Sequence, residues 1–218
     1  MKFGVLGTGV VGQTIAGKLS ELGHSVLIGT REVAKTSQGT IAEWQKANPK
    51  VELVTFGDAA KYTEILVNAT SGGGSLDALR TVGTESLNGK ILIDIANPLD
   101  FSQGMPPTLS ICNDSSLGER IQDEFPNVKL VKTLNTMSAA LMINPSLLAG
   151  DHNVFVNGND GGAKSAVKDL LIQFGWKSAN IIDLGDVTAS RGTEMYLPLW
   201  LRMFGAFQTP MLNINVVR

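Results

Sequence analysis

The chain has 218 residues, 43% of them hydrophobic, which is enough for one packed domain or one domain with a small appendage. Its 18 basic and 20 acidic residues are dispersed and give a net charge of −2, so we expect neither a nucleic-acid nor a membrane partner. One cysteine and two histidines exclude an internal disulfide and predict no metal site. This cysteine usage is typical of a reducing cytoplasm, and we expect no secretory leader or membrane span.

Short apolar strands alternate with helical patterns from the first residues onward. Strands are predicted at Phe3–Leu6, Ser25–Ile28, Glu52–Thr55, Ile65–Asn68, Ile91–Ile95, Lys129–Thr133, Asn153–Val156 and Ile181–Asp183. Helices are predicted near Val10–Leu22, Thr40–Ala47, Ser75–Val82, Ser116–Phe125 and Gly162–Phe174, and a longer interrupted helix follows the last strand. This alternation is the pattern of a parallel sheet with helices on both faces.

A glycine-rich turn follows the first strand. The stretch VLGTGVVG places Gly7, Gly9 and Gly12 in the spacing G-x-G-x-x-G between a strand and a helix. There the first glycine permits the turn, the second lets the backbone approach a pyrophosphate, and the third permits close helix packing. The pattern in this context predicts a dinucleotide site. The predicted fold class is therefore α/β, with a Rossmann-type, doubly wound, mostly parallel sheet and a small C-terminal extension ending in an apolar helix.

The end of the second strand lacks the acidic residue that usually binds the ribose of NAD. Gly29, Thr30 and Arg31 occupy this turn. An arginine offers charge-assisted bonds to a phosphate, and the threonine hydroxyl adds a donor, so we predict NADP(H), with Lys35 supplementing Arg31. The alternative is that Arg31 pairs with Glu32 on the surface while NAD binds.

Small and polar residues follow the fourth and fifth strands, at the edge of the sheet where ligands bind in such folds. Ala69, Thr70 and Ser71 follow strand four and are predicted to face the ribose and phosphates on the nicotinamide side. The alternative is a merely flexible turn before the next helix. Asn97 and Pro98 follow strand five, where the proline keeps the chain extended. Both are predicted cofactor contacts, with Asn97 at the nicotinamide carboxamide or ribose.

The segment after strand six combines polar, soft apolar and small side chains. Asn135, Thr136 and Met137 are followed by Ser138 and Ala139. Such a combination suits the edge of a flat ring, so the segment is a predicted substrate site. The alternative is a simple helix N-cap by Thr136 or Ser138.

The end of the chain predicts an extension and an interface. The boundary is weakly marked, and we predict an NADP-binding domain over residues 1–150 and a small extension over residues 151–218. The closing helix from Met195 to Phe207 is apolar on nearly every side. Such a helix is buried in the core or in a subunit contact, and we predict that it contributes to a homodimer.

The predicted cleft contains no obvious acid or base, so no catalytic residue is predicted. Neither Tyr62 nor Tyr196 has a lysine four positions later, which excludes the short-chain dehydrogenases. Too few residues follow strand seven for the long helical domain of hydroxyacid dehydrogenases. A carbonyl reductase must protonate an alkoxide, whereas hydride transfer between two flat rings needs mainly alignment. The sequence therefore favours ring-to-ring transfer.

Taken in order, the glycine loop, IGTR, NPL, TLNTMSAAL and SRGTEMYLPLWLRMFGA resemble the F420-dependent NADP oxidoreductase family across essentially the whole chain. The resemblance implies a Rossmann domain with a small C-terminal extension, a homodimer, and hydride transfer between NADPH and the deazaflavin ring of coenzyme F420.

The resemblance also implies roles for individual residues. The phosphate-binding turn falls on Thr8, Gly9, Val10 and Val11, and the 2′-phosphate contacts fall on Thr30 and Arg31. The wall of the deazaflavin site falls on Asn135, Thr136, Met137 and Ala139.

The leading hypothesis is a cytoplasmic oxidoreductase that moves hydride between NADP(H) and a small flat redox partner. Coenzyme F420, a flavin and a quinone-like acceptor are all open as partners. The second hypothesis is an NADP(H)-binding sensor without turnover, since the cleft lacks acids and bases.

Overall fold

The computed structural model describes residues 1–37 and 40–217. Its strands are β1 Lys2–Leu6, β2 Ser25–Thr30, β3 Val51–Thr55, β4 Ile65–Asn68, β5 Ile91–Asp94, β6 Leu99–Asp100, β7 Thr108–Leu109, β8 Lys129–Thr133, β9 Val154–Asn157 and β10 Ile181–Asp183. Its helices are α1 Val10–Glu21, α2 Val33–Thr36, α3 Thr40–Ala47, α4 Phe56–Lys61, α5 Gly72–Val82, α6 Thr84–Leu87, α7 Leu117–Glu124, α8 Ala139–Ile143, α9 Gly161–Gln173, α10 Ser190–Met195 and α11 Leu197–Phe207.

One sheet runs through the described chain in the order β3-β2-β1-β4-β5-β8-β9-β10. The six strands β3, β2, β1, β4, β5 and β8 pair in parallel in that order. Strand β9 pairs antiparallel with β8, and β10 is parallel to β9. The chain starts in the middle at β1, winds outward to β3, and then returns to place β4 on the other side. This order confirms the predicted doubly wound, mostly parallel α/β fold and opens a cleft at the carboxyl ends of β1 and β4.

Both faces of the sheet carry apolar side chains, since successive strand residues point alternately into two cores, and helices bury both faces. Ile65 and Val67 of β4 belong to one core, and Leu66 between them belongs to the other. The first core is covered by α1 and α9 and the second by α4, α5 and α7. Strands that are apolar on both sides are the expected pattern for a parallel sheet covered by helices. The carboxyl edge is therefore the part of the sheet that is open to a ligand.

All eight predicted strands are present, but several short elements were missed. Helix α4 begins directly after β3, where the Thr55 side chain accepts a hydrogen bond from the Asp58 amide. The hairpin β6–β7 pairs Leu99 with Leu109, in two short segments for which no strand was predicted. Helix α5 was predicted to begin at Ser75 but begins three residues earlier, at Gly72. The earlier start was missed because its first turn consists of glycines, which have poor intrinsic helix propensity.

The C-terminal segment continues the same sheet through β9 and β10. Helices α10 and α11 are separated at Tyr196, two residues before Pro198, which lacks an amide donor. The tail is held at the residue before β9, since the Asn153 amide donates to the Ile214 carbonyl at 2.8 Å. The division of the chain at residue 150 stays a prediction. Across residues 1–37 and 40–217, each helix is too short or too polar to cross a lipid bilayer.

Candidate dinucleotide and redox-partner site

The glycine loop after β1 is tightly packed on one side and open on the other. Gly7 has a φ of +118°, and a Cβ there would lie 2.5 Å from the Ala69 carbonyl oxygen. A Cβ on Gly12 would lie 2.0 Å from the Gly7 carbonyl oxygen, whereas one on Gly9 would meet nothing within 4 Å. The Gln13 side chain donates through Nε2 to the Thr8 carbonyl at 2.8 Å and holds the turn. The free face at Gly9 and the N-terminus of α1 fit a pyrophosphate.

The end of β2 presents one buried hydroxyl and one exposed cation. Thr30 is buried, and its Oγ1 lies 2.8 Å from Thr36 Oγ1. Arg31 is exposed. Glu32 pairs with Lys35 at 2.8 Å, not with Arg31. Lys35 thus neutralises the carboxylate beside Arg31, and the surface ion pair of the NAD alternative does not form in this structure.

A cavity of about 410 Å³ joins the glycine loop to the end of β2. The lining comes from the segments after β1, β2, β3 and β4, and consists of Gly7, Thr8, Gly9, Gly29, Thr30, Arg31, Glu32, Lys35, Thr36, Phe56, Ala69, Thr70 and Ser71. Backbone amides lie at one end and a guanidinium at the other, which fits an adenosine with an extra phosphate. Thr36 and Phe56 were missed, although Phe56 follows a strand end and could have been found by the same rule that was applied to the other strands.

The turn after β4 is anchored by a buried polar network. The Thr70 hydroxyl donates to Asn68 Oδ1 at 2.7 Å, and Asn68 Nδ2 donates to Ser75 Oγ at 3.1 Å and to Asp94 Oδ1 at 2.8 Å. These bonds hold Ala69–Ser71 in one conformation, so the turn is not merely a flexible connection. Close packing adds to this, because a Cβ on Gly72 would lie 1.9 Å from the Asn97 carbonyl oxygen.

Beneath this turn lies an ion cluster that sequence reasoning missed. Lys132 Nζ lies 2.8 Å from Asp94 Oδ2 and 2.8 Å from Glu194 Oε1, with all three side chains buried. Glu194 also accepts hydrogen bonds from the Leu117 and Gly118 amides at the start of α7. Burial by itself would lower the pKa of Lys132, but the two carboxylates outweigh it and raise the pKa. The network ties α10 to the cofactor turn through Asn68.

The predicted cofactor residue Asn97 and the predicted substrate residue Asn135 contact each other. Asn97 Nδ2 donates to the Asn135 carbonyl at 2.8 Å, and Asn135 Nδ2 donates to Asn97 Oδ1 at 2.9 Å. Pro98 contributes its carbonyl, which accepts from the Ser110 amide at 2.8 Å. Leu134, just before Asn135, has a φ of +61°, a strained conformation for a branched residue. The loops after β5 and β8 are therefore joined into one rigid unit.

The segment after β8 is more buried than its predicted role required. Asn135, Thr136 and Met137 are all buried, and Ala139 is half-buried at the start of α8. Ser138 is at the N-cap position of α8 but makes no side-chain capping bond. Within residues 1–37 and 40–217, Thr136 Oγ1 and Ser138 Oγ have no hydrogen-bond partner. Unsatisfied buried hydroxyls are costly, but both lie beneath the surface, so the structure does not bring this predicted substrate segment to an open cavity.

A second cavity, of about 340 Å³, shares Ala69–Ser71 with the first. Its lining is mostly small or apolar and consists of Val11, Ala69, Thr70, Ser71, Gly72, Gly73, Ile95, Ala96, Asn97, Leu99 and Phe101. None of these lining residues, all within the described part of the chain, is ionisable. Leu99 and the half-exposed Phe101 were missed because they lie in or beside the β6–β7 hairpin, for which no strands were predicted.

The sheet order, the glycine loop and the adjoining cavities define a dinucleotide-binding protein of the Rossmann class. Residues 2–98 match the family described as NADP oxidoreductase, coenzyme F420-dependent. The crystal structure at 1.70 Å of a candidate F420-dependent NADP reductase from Arthrobacter sp. FB24 is 52% identical, covers 100% of both chains and superposes with a TM-score of 0.97. The chain belongs to the F420-dependent NADP oxidoreductase family.

Two curated relatives extend the comparison. The F420-dependent NADP reductase of Methanothermobacter marburgensis is 28% identical over 93% of this chain and 92% of its own length. The metalloreductase STEAP3 of Rattus norvegicus is 26% identical over 97% of this chain, but the chain spans only 38% of that protein. Family membership confirms the predicted class of enzyme, an NADP-dependent oxidoreductase, and NADP(H) as its cofactor. The roles assigned to individual site residues stay predictions.

Proposed function

We propose that the protein transfers hydride between NADP(H) and a flat redox ring, either the deazaflavin of coenzyme F420 or a flavin- or quinone-like acceptor. The observation that carries this proposal is the second cavity, whose described lining holds no ionisable side chain. Such a cavity can align two rings but has no group to protonate an alkoxide. The family and the relative from Methanothermobacter marburgensis support F420 as the partner.

Each part of the cleft has a separate task in this proposal. Arg31, Thr30 and the glycine loop bind the adenosine and phosphates and so fix the position of the nicotinamide. The nicotinamide supplies or accepts the hydride when NADP(H) is bound. The paired loops at Asn97 and Asn135 orient the rings, and Phe101 excludes water from the apolar cavity.

The test measures the oxidation of NADPH by a panel of acceptors. The reaction is monitored through the absorbance of the reduced nicotinamide. The panel contains F420, FMN, FAD and a soluble quinone, with NADH as the matched control donor. We expect turnover with at least one flat acceptor and a preference for NADPH. Tight NADPH binding without oxidation by any acceptor would instead indicate a sensor and overturn the proposal.

We also propose that the protein is a homodimer formed through α11. Leu197 is the buried residue of this helix, while Leu199 and Phe207 are largely exposed. An apolar helix face of this kind is typical of a subunit contact. Replacing Leu199 and Phe207 by serine should weaken a dimer that the same change at exposed Ile172 of α9 leaves intact. A monomeric wild-type mass at micromolar concentration would contradict this proposal.

We place the protein in the cytoplasm. Its single cysteine, Cys112, is an exposed free thiol, which is typical of proteins from a reducing compartment. Recovery of the protein in a secreted fraction would contradict this location.

A further inference from the structure

The side chain of Arg31 reaches from the end of β2 to the first turn of α5. A Cβ placed on Gly74 would lie 3.0 Å from Arg31 Nη2 and 3.3 Å from Ser71 Oγ. The guanidinium therefore lies against the position that a Cβ of residue 74 would take, closer than a normal contact. This contact joins the two loops that border the cavity of about 410 Å³.

The position of this guanidinium is electrostatically unusual. The N-terminus of an α-helix carries a partial positive charge and repels cations. The first turn of α5 contains no acidic residue, and the described ion pairs at this edge join Lys35, not Arg31, to Glu32. An anion bound between Arg31 and the start of α5 would satisfy both positive groups. The 2′-phosphate of NADP(H) supplies such an anion.

The presence or absence of a side chain at residue 74 affects where the Arg31 guanidinium can lie. A Cβ there would push the guanidinium aside by a few tenths of an ångström, since 3.0 Å is shorter than a normal carbon–nitrogen contact. Arg31 is exposed, so this displacement costs the fold little. The displacement instead changes the position of the Arg31 guanidinium relative to the cofactor.

We propose that Gly74 is a positioning residue for NADPH selectivity, because its lack of a side chain lets Arg31 lie over the first turn of α5. The inference rests on the proposed function in one respect, the use of Arg31 to bind the 2′-phosphate. It adds a determinant that lies outside the usual β2 turn.

The chain offers a matched control for testing this. A Cβ on Gly73, the preceding residue in the same turn, would meet nothing within 4 Å. Gly74→Ala and Gly73→Ala both add one methyl group to the same helical turn, and both reduce the freedom of the unfolded chain. Neither variant should melt below the wild type.

We expect Gly74→Ala to weaken NADP⁺ binding by roughly three- to tenfold, well within the range of a single displaced charge contact, with NAD⁺ binding unchanged. Gly73→Ala should change neither affinity.

Calorimetric titration of both nucleotides, without any redox partner, gives the decisive comparison. In an Arg31→Ala background, Gly74→Ala should have no further effect on NADP⁺ binding, since the displaced group is gone. If Gly74→Ala alters nothing while Arg31→Ala weakens NADP⁺, the inference is wrong and the function stands. If Arg31→Ala also has no effect on NADP⁺, the predicted 2′-phosphate site fails as well. Equal losses for NAD⁺ and NADP⁺ in Gly74→Ala would overturn the positioning role.

Discussion

Two charge clusters at the carboxyl edge of the sheet have mirrored compositions and opposite surroundings. In the buried cluster, Lys132 lies between Asp94 and Glu194, each at 2.8 Å. In the exposed cluster, Glu32 lies beside Arg31 in sequence and pairs with Lys35 at 2.8 Å. The side chains of the buried cluster are at most 1% exposed, whereas those of Glu32 and Lys35 are 60% and 79% exposed.

The contrast shows how burial decides what a charge does. Buried charges have lost their hydration, so each depends on its partners, and removal of one leaves the others uncompensated. Exposed charges remain hydrated and add little to folding. The buried cluster therefore belongs to the scaffold that supports the cofactor turn. The charges of the exposed cluster can instead bind a ligand.

The largest effect is expected from Lys132→Met, which leaves two carboxylates buried without a cation. The free energy of unfolding should fall by about 3–5 kcal/mol, measured by denaturant titration. Lys177→Met is the matched control, because Lys177 pairs with Asp151 at a similar 2.8 Å but on the surface. The control should cost less than about 1 kcal/mol. Equal midpoints for the two variants would contradict the comparison.

The pH dependence of stability sharpens the same contrast. The pKa of Lys132 is raised above its ordinary value of 10.5 because Asp94 and Glu194 outweigh the effect of burial. The stabilisation from its charge is thus fully present below 10.5 and is lost as the pH rises through the folded-state pKa. Stability of the wild type should decline at strongly alkaline pH more steeply than that of Lys132→Met. Parallel declines in the two proteins would show that the pKa of Lys132 is the same in the folded and unfolded states.

The smallest effect is expected from Lys35→Ala in the exposed cluster. Loss of this cation frees the Glu32 carboxylate near the predicted 2′-phosphate site and should weaken NADP⁺ binding by about two- to threefold. The melting temperature should stay unchanged, because both side chains are already hydrated. A loss of affinity as large as that of Arg31→Ala would assign Lys35 a direct phosphate contact.

Features encoded in a short stretch of sequence could be predicted before the structure. The glycine loop and Arg31 depend on a fixed spacing after a strand, and chain order brings them to one edge of the sheet. The eight strands were found because each is short, apolar and followed by a turn. The cofactor half of the cleft is therefore largely readable from the sequence.

The rest depends on contacts between distant segments. Lys132 sits in a strand pattern, and nothing local shows that Asp94 and Glu194 will meet it. The pairing of Asn97 with Asn135 and the burial of Met137 likewise follow from how separate loops pack. Phe101 was missed because the hairpin that positions it is defined by pairing across a long irregular connection.

If Arg31 gives the cleft its preference for NADP(H), direct titration of Arg31→Ala with NADP⁺ and NAD⁺ will reveal it. We expect at least a tenfold loss for NADP⁺, about 1.4 kcal/mol, with NAD⁺ affinity unchanged. Arg80→Ala is the control, since Arg80 is an exposed arginine paired with Asp77 and Glu124, and it should alter neither affinity. Equal losses for both nucleotides in Arg31→Ala, or no loss for either, would show that Arg31 does not set the preference for NADP(H).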